Sequence, residues 1–146
     1  MAGHGAGAAA GDAADYRVFG PEHTCGLQRM GRRAAATGNG VRFMFCVCCQ
    51  KFDVPGTNYE TIIGLAEIVP NVNIGRHTHP GPESGFMLEG DFVLLVEGNA
   101  PLPVKAGESY KVPPGAIHDA RTGANGAKVI ATYVVEKGKP LATPTP

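Results

Sequence analysis

Short runs of apolar and β-branched residues, separated by glycine and proline turn signals, fill this chain from residue 53 onward. Runs of this length between turn residues predict β-strands. The eight predicted strands are residues 61–69, 72–79, 83–89, 92–97, 102–105, 109–112, 117–121 and 127–136. The turns between them include Gly90-Asp91 and Gly98-Asn99. This succession of strands and turns predicts a single all-β domain, either a sandwich or a barrel.

The two ends of the chain differ in composition from this central part. Residues 1–50 form a low-complexity N-terminal extension rich in Ala and Gly. Residues 1–40 carry too few large apolar side chains to offset the entropy of ordering them, which predicts disorder. Residues 139–146 are rich in proline and are predicted to be a tail, and we call them the Pro-rich segment. The barrel domain is predicted at residues 51–138.

An apolar run at residues 41–49 has two interpretations. Preceded by arginines, it resembles a degenerate signal segment, although no small-residue cleavage site follows it. The alternative is an additional strand that covers an edge of the barrel. The run contains Cys46, Cys48 and Cys49, whose spacing does not fit the usual zinc pairing, so we interpret them as incidental thiols. A cytoplasmic and an exported location both stay open.

The charge of the chain excludes two classes of partner. Thirteen basic and 13 acidic residues give a formal net charge of zero. A balanced chain has no electrostatic reason to bind nucleic acid or an anionic membrane surface. No apolar run approaches the roughly 18 residues that a membrane span needs. We therefore expect a small-molecule ligand or substrate, with no nucleic acid and no membrane.

Three histidines and one glutamate stand at spacings that suit strands. His77 and His79 are two residues apart, so their side chains point to the same side of a strand. The sequence Pro80-Gly-Pro forces a turn, after which Glu83 can open the next strand and face the same interior. His118 follows another Pro-x-Gly turn and arrives from a distant strand. Three imidazoles and a carboxylate suit a divalent transition metal.

The segments that carry these residues, 71–90 and 107–122, resemble the two signature motifs of the cupins. The first motif reads Gly, five residues, His-x-His, three or four residues, Glu, six residues, Gly, and here Asn71 stands in the place of its first glycine. Asn is the non-glycine residue that best tolerates positive φ, so the turn is expected to survive. The second motif, from Gly107 to His118, fits except that Thr122 replaces its final Asn, which is not a metal ligand in the family.

The resemblance implies a single cupin jelly-roll barrel and one divalent transition metal ion. The ion is expected to be Fe, Mn, Ni, Zn, Cu or Co, and the ligand set alone does not choose among them. Its expected ligands are His77, His79, Glu83 and His118. Four protein ligands leave coordination positions for water, dioxygen or substrate, which is typical of catalytic sites. By analogy with similar small cupins, a homodimer is expected.

Two classes of function follow from this site. The first is a metal-dependent enzyme, dioxygenase-like or a lyase or isomerase, acting on a small organic molecule in the barrel. The alternative is a non-catalytic metal or small-ligand binding module, because the fold supports both. Strand periodicity predicts that Gly85 faces inward and leaves space close to the metal. The possible acid–base residues are Tyr110, Lys111, Asp119 and Tyr133, for which surface or packing roles are predicted.

Overall fold

The computed structural model describes residues 44–146, with side chains from residue 50 onward, and every regular element in it is a strand. The strands are β1 (Met44–Asp53), β2 (Tyr59–Ile68), β3 (His77–Thr78), β4 (Glu83–Val96), β5 (Leu102–Lys105), β6 (Ser109–Val112), β7 (His118–Glu136) and β8 (Thr143–Pro144). The predicted all-β class is confirmed. In this part of the chain no helix is long and apolar enough to span a membrane.

All eight strands belong to one antiparallel sheet. One path through it runs β1-β2-β7-β3-β8, and β4 pairs with β5, β6 and β7. The two longest strands, β4 and β7, pair with each other along most of their length. Because β7 also pairs with β2 and β3, it connects His77 and His118 to the rest of the sheet.

The first strand begins before the expected domain boundary at residue 51. β1 pairs with β2 from Met44 opposite Ile68 to Asp53 opposite Glu60, with one register shift after Cys48. Residues 44–49 therefore form the additional edge strand that was one of the two interpretations of the apolar run. The disorder predicted for residues 1–40 lies outside the described residues.

The turn predicted at Gly90-Asp91 is wrong, because β4 continues through it. The pairing of β4 with β7 shifts register on either side of Gly90, which marks β-bulges that bend the strand without reversing it. Gly90 has a φ of 74°, and a Cβ there would lie 2.0 Å from the carbonyl oxygen of Gly126. Only glycine fits both conditions. The predicted strands at 117–121 and 127–136 are likewise one strand, β7.

The strand predicted at residues 72–79 is regular only at His77–Thr78, because the chain before it enters by an irregular turn. Asn71 has a φ of 56° and is the single non-glycine residue with positive φ among those described, which confirms its expected role. The Thr122 hydroxyl donates to the Val69 carbonyl at 2.8 Å and accepts from the Val72 amide at 3.1 Å. Thr122 thus fastens this turn to β7.

Buried and solvent-facing side chains alternate along the strands that enclose the interior. Along the first half of β4, Glu83, Gly85 and Met87 are buried while the residues between them are exposed. On β7, His118, Ala120 and Thr122 are buried in the same way. The burial of Glu83 and Gly85 confirms the inward orientation predicted for them. The core around them is mostly aliphatic and includes Ile68, Leu94, Val104, Val112 and Val129, together with the aromatic Phe92.

Candidate metal centre

The three histidines come from two neighbouring strands. His77 opens β3 and lies directly opposite His118, which opens β7. His79 follows β3 on the same side, as expected for residues two apart. The ring centroids are 4.2 Å apart for His77 and His118, 4.9 Å for His77 and His79, and 5.0 Å for His79 and His118. The sheet therefore brings three imidazoles into mutual contact.

Each imidazole has its Nδ1 atom against a backbone carbonyl. The distances are 2.8 Å from His77 to Gly75, 2.9 Å from His118 to Ala116, and 2.6 Å from His79 to Leu141. A carbonyl accepts only, so each contact favours a proton on Nδ1 and leaves Nε2 as the potential ligand atom. The three histidines each offer one nitrogen, and these lie within 4.8 Å of one another. Three histidines so arranged can hold a metal ion.

Glu83, the first residue of β4, lies beside this group and is almost fully buried. Its Oε2 atom is 3.1 Å from His79 Nε2 and 3.4 Å from His118 Nε2. Its Oε1 atom accepts a hydrogen bond of 2.7 Å from the Tyr110 hydroxyl and a longer one of 3.4 Å from the Tyr133 hydroxyl. One carboxylate oxygen therefore faces the imidazoles, and the other faces the two tyrosines.

The pKa values reflect this arrangement. Burial raises the pKa of the Glu83 carboxyl, but hydrogen bonds from His118, His79 and Tyr110 outweigh it and hold that pKa well below its usual range. Burial lowers the pKa of His118, but the bonds with Glu83 and the Ala116 carbonyl outweigh it and raise that pKa. At His77 burial dominates, and the pKa is lowered. The centre is therefore built around an ionised carboxylate.

The centre lies at the polar end of a cavity whose other walls are apolar. Its polar lining consists of the three histidines, Glu83, Tyr110 and Tyr133. The apolar lining consists of Ala66, Ile68, Ile74, Phe92, Leu94, Ala120, Val129, Ala131 and Leu141. A compact ligand with one polar end and an apolar body suits such a cavity.

Two of the four possible acid–base residues lie in the cavity, although surface or packing roles were predicted for all four. Tyr110 and Tyr133 both line it and both contact Glu83. Lys111 is exposed, as predicted. Asp119 does not line the cavity, and its carboxylate accepts a hydrogen bond of 2.8 Å from the Gly75 amide. The position of Tyr110 depends on Gly85, since a Cβ there would lie 2.1 Å from the tyrosine ring. The space predicted beside Gly85 is thus filled by Tyr110.

Comparison with known proteins agrees with this geometry. A family model of the cupin domain matches residues 64–136, which is half of the chain. This chain is a cupin. The match covers β3 to β7 entirely and half of β2, and it includes His77, His79, Glu83 and His118.

Curated relatives of this cupin share only part of its length. It is 33% identical over 68 residues to 3-hydroxyanthranilate 3,4-dioxygenase of Xanthomonas oryzae pv. oryzae, an alignment that covers 44% of this chain and 39% of the relative. The same enzyme from Xanthomonas campestris pv. campestris is 36% identical over 58 residues, covering 38% of this chain and 33% of that one. The chain thus spans well under half the length of these relatives.

Solved structures share the fold of this cupin at low sequence identity. The DMSP lyase of Ruegeria pomeroyi DSS-3 superposes with a TM-score of 0.62 at 19% identity, covering 82% of this chain and 61% of the lyase. A cupin superfamily protein from Desulfitobacterium hafniense superposes with a TM-score of 0.55 at 13% identity, covering 75% of this chain and 95% of that one. At these identities the likeness concerns the fold alone.

Proposed function

We propose that this cupin is a metal-dependent enzyme that acts on a small organic molecule in the barrel, with dioxygenase-like chemistry. One observation carries the proposal. Three imidazoles, each with its Nδ1 atom against a carbonyl, converge beside a buried carboxylate at the polar end of an apolar cavity. A purely structural set of histidines would not need this shared orientation.

The donor set fits a divalent transition metal. His77, His79, His118 and Glu83 would hold one such ion, of Fe, Mn, Ni, Zn, Cu or Co, through three nitrogens and one oxygen. The buried Glu83 Oε2 atom lies within hydrogen-bond distance of the Nε2 atoms of His79 and His118. Its negative charge would partly neutralise a cation bound by these three atoms. When bound, the ion would supply Lewis acidity or a binding position for dioxygen.

The other groups of the cavity would prepare the substrate. The tyrosine hydroxyls hold Glu83 Oε1, so that the carboxylate keeps one orientation with its other oxygen toward the histidines. The other walls of the cavity are apolar, so an apolar part of a substrate would be buried against them. A compact, partly apolar substrate would therefore enter with its chelating or anionic end toward the centre.

The choice of dioxygenase-like chemistry rests on the similarity to 3-hydroxyanthranilate 3,4-dioxygenases, which extends over 68 residues at 33% identity. That similarity covers part of each chain, so the substrate of this cupin is proposed only as a class, namely small aromatic or other partly apolar molecules with a chelating group. The expected homodimer stays a prediction, which light scattering on the purified protein would check.

Oxygen consumption by the metal-loaded protein tests the proposal. The protein is loaded in turn with each of the six metals and offered 3-hydroxyanthranilate, diketones, flavonols and thiols. We expect one metal to support oxygen uptake with one class, and the His77→Ala/His118→Ala double variant to lose that uptake. Stoichiometric metal binding without turnover of any class would favour the non-catalytic binding module.

A further inference from the structure

We propose that the Pro-rich segment is part of the metal centre, and that Leu141 positions His79 through its carbonyl oxygen while its side chain forms a wall of the cavity. The inference rests on the proposed function for the identity of the centre. Its basis is a contact between residues 62 positions apart, in which His79 Nδ1 lies 2.6 Å from the Leu141 carbonyl oxygen. The same leucine lines the cavity.

His79 differs from the other two histidines in the origin of its carbonyl partner. His77 and His118 each use the carbonyl two residues earlier in the chain, from Gly75 and Ala116. Those partners are supplied locally, by the irregular residues that immediately precede the strand on which each histidine lies. The partner of His79 comes from a separate segment, so the orientation of this one ring depends on where residues 139–146 lie.

Backbone contacts with β3 hold the segment in place. β8 pairs antiparallel with β3, with Pro144 opposite His77 and Thr143 opposite Thr78. The Thr145 amide donates to the Arg76 carbonyl at 3.0 Å. Pro144 has no amide to donate, which an edge position tolerates, and its fixed φ lowers the entropy lost on ordering. These contacts hold the segment beside β3, and the Leu141 carbonyl contacts His79 directly after that strand.

Two substitutions at Thr145 test the positioning role in the full-length chain. Thr145→Pro removes the amide that bonds Arg76, and Thr145→Ala keeps it. The alanine variant is a matched control, because the buried Thr145 hydroxyl has no hydrogen-bond partner within the described residues. We expect Thr145→Pro to weaken zinc binding on the order of tenfold, as losing an outer partner of a ligating histidine does, and Thr145→Ala to leave it within about twofold.

Proton NMR of the zinc-loaded protein gives a readout that general destabilisation would not reproduce. We expect protected Nδ1–H signals from all three histidines in the wild type, and a selective loss of protection at His79 in Thr145→Pro. Leu141→Ala keeps the carbonyl, so it should retain zinc affinity but bind the chelating probe nitrocatechol several-fold more weakly.

Three results would overturn the inference. They are an unprotected His79 Nδ1–H in the wild type, equal zinc affinity in Thr145→Pro and wild type, and equal losses in Thr145→Pro and Thr145→Ala. The first result is measured on the wild type, so the inference can be tested even if the Thr145→Pro protein misfolds. A wild type that binds no zinc or other metal would instead remove the proposed centre itself, and this inference with it.

Discussion

The Tyr110 hydroxyl donates a hydrogen bond of 2.7 Å to Glu83 Oε1, while Glu83 Oε2 faces His79 and His118. The two oxygens of one carboxylate are thus divided between a fixed donor and the proposed metal. A hydrogen bond to an ionised, buried carboxylate is stronger than a neutral one and restricts its rotation. Tyr110 therefore acts on the centre through Glu83.

Tyr110→Phe is expected to lower metal affinity by about tenfold, because Glu83 loses the donor that orients it. The pKa of Glu83 should rise at the same time, since the Tyr110 bond is one of the contacts that lower it. Competition titration with a chromophoric chelator measures the affinity. Tyr133→Phe is the control, and its effect should be smaller because its hydroxyl is 3.4 Å from the carboxylate. Equal effects of the two variants would contradict this account.

Gly85→Ala is expected to destabilise the fold by about 1–3 kcal/mol, the usual cost of overpacking a core. The added Cβ would lie 2.1 Å from the Tyr110 ring, so the tyrosine must move away from Glu83. Thermal unfolding measures the loss, with Ser84→Ala at the neighbouring exposed position as the control. In the Gly85→Ala/Tyr110→Phe double variant the losses of metal affinity should be less than additive. Full additivity would mean that the two residues act separately.

Metal affinity is expected to fall as the pH falls through the pKa of His118. That pKa is raised in the metal-free protein by the bond with Glu83, so His118 keeps its proton to a higher pH than an ordinary imidazole. The metal needs the neutral ring, and binding must release this proton. Titrations between about pH 6 and pH 8, around the ordinary imidazole value, should show up to a tenfold loss per pH unit on the acidic side. In Glu83→Gln the loss should begin at lower pH, and an unshifted onset would argue against the coupling.

A chain that begins at Gln50 should be less stable than one that begins at Val41. The shorter chain lacks residues 44–49 of β1, which pair with residues 64–68 of β2. At about 1 kcal/mol for each lost backbone bond, the free energy of unfolding should fall by roughly 3 kcal/mol or more. The exposed β2 edge should also promote aggregation. Melting temperatures and light scattering compare the two chains, and equal values would show that β1 adds nothing to the barrel.

Local sequence patterns predicted the strands and turns that carry the centre. Strand geometry alone places His77 and His79 on one side and makes the residues after Glu83 alternate between inside and outside. These orientations could therefore be predicted from the sequence. Asn71 could be assigned to a positive-φ turn because few residues tolerate one. These signals are local, and the structure retains each of them.

The remaining parts of the site depend on distant contacts that no local pattern reveals. Tyr110 reaches Glu83 because β6 pairs with β4 in one register and because Gly85 leaves room for its ring. Leu141 contacts His79 from 62 positions away, because the short strand β8 that follows it pairs with β3. A strand of two residues that includes a proline is not predicted from local sequence. The Gly90-Asp91 turn was predicted wrongly because a glycine at positive φ serves a bulge as well as a hairpin.

Metal analysis of the protein purified without chelators is the decisive measurement for the proposed metal centre. We expect close to one divalent transition ion per chain in the wild type, and little or none in the His77→Ala/His118→Ala double variant, since two of four ligands and the geometry of the others are lost. Circular dichroism should show that the variant keeps its β structure. Full metal occupancy in a folded double variant would contradict the assignment of this centre.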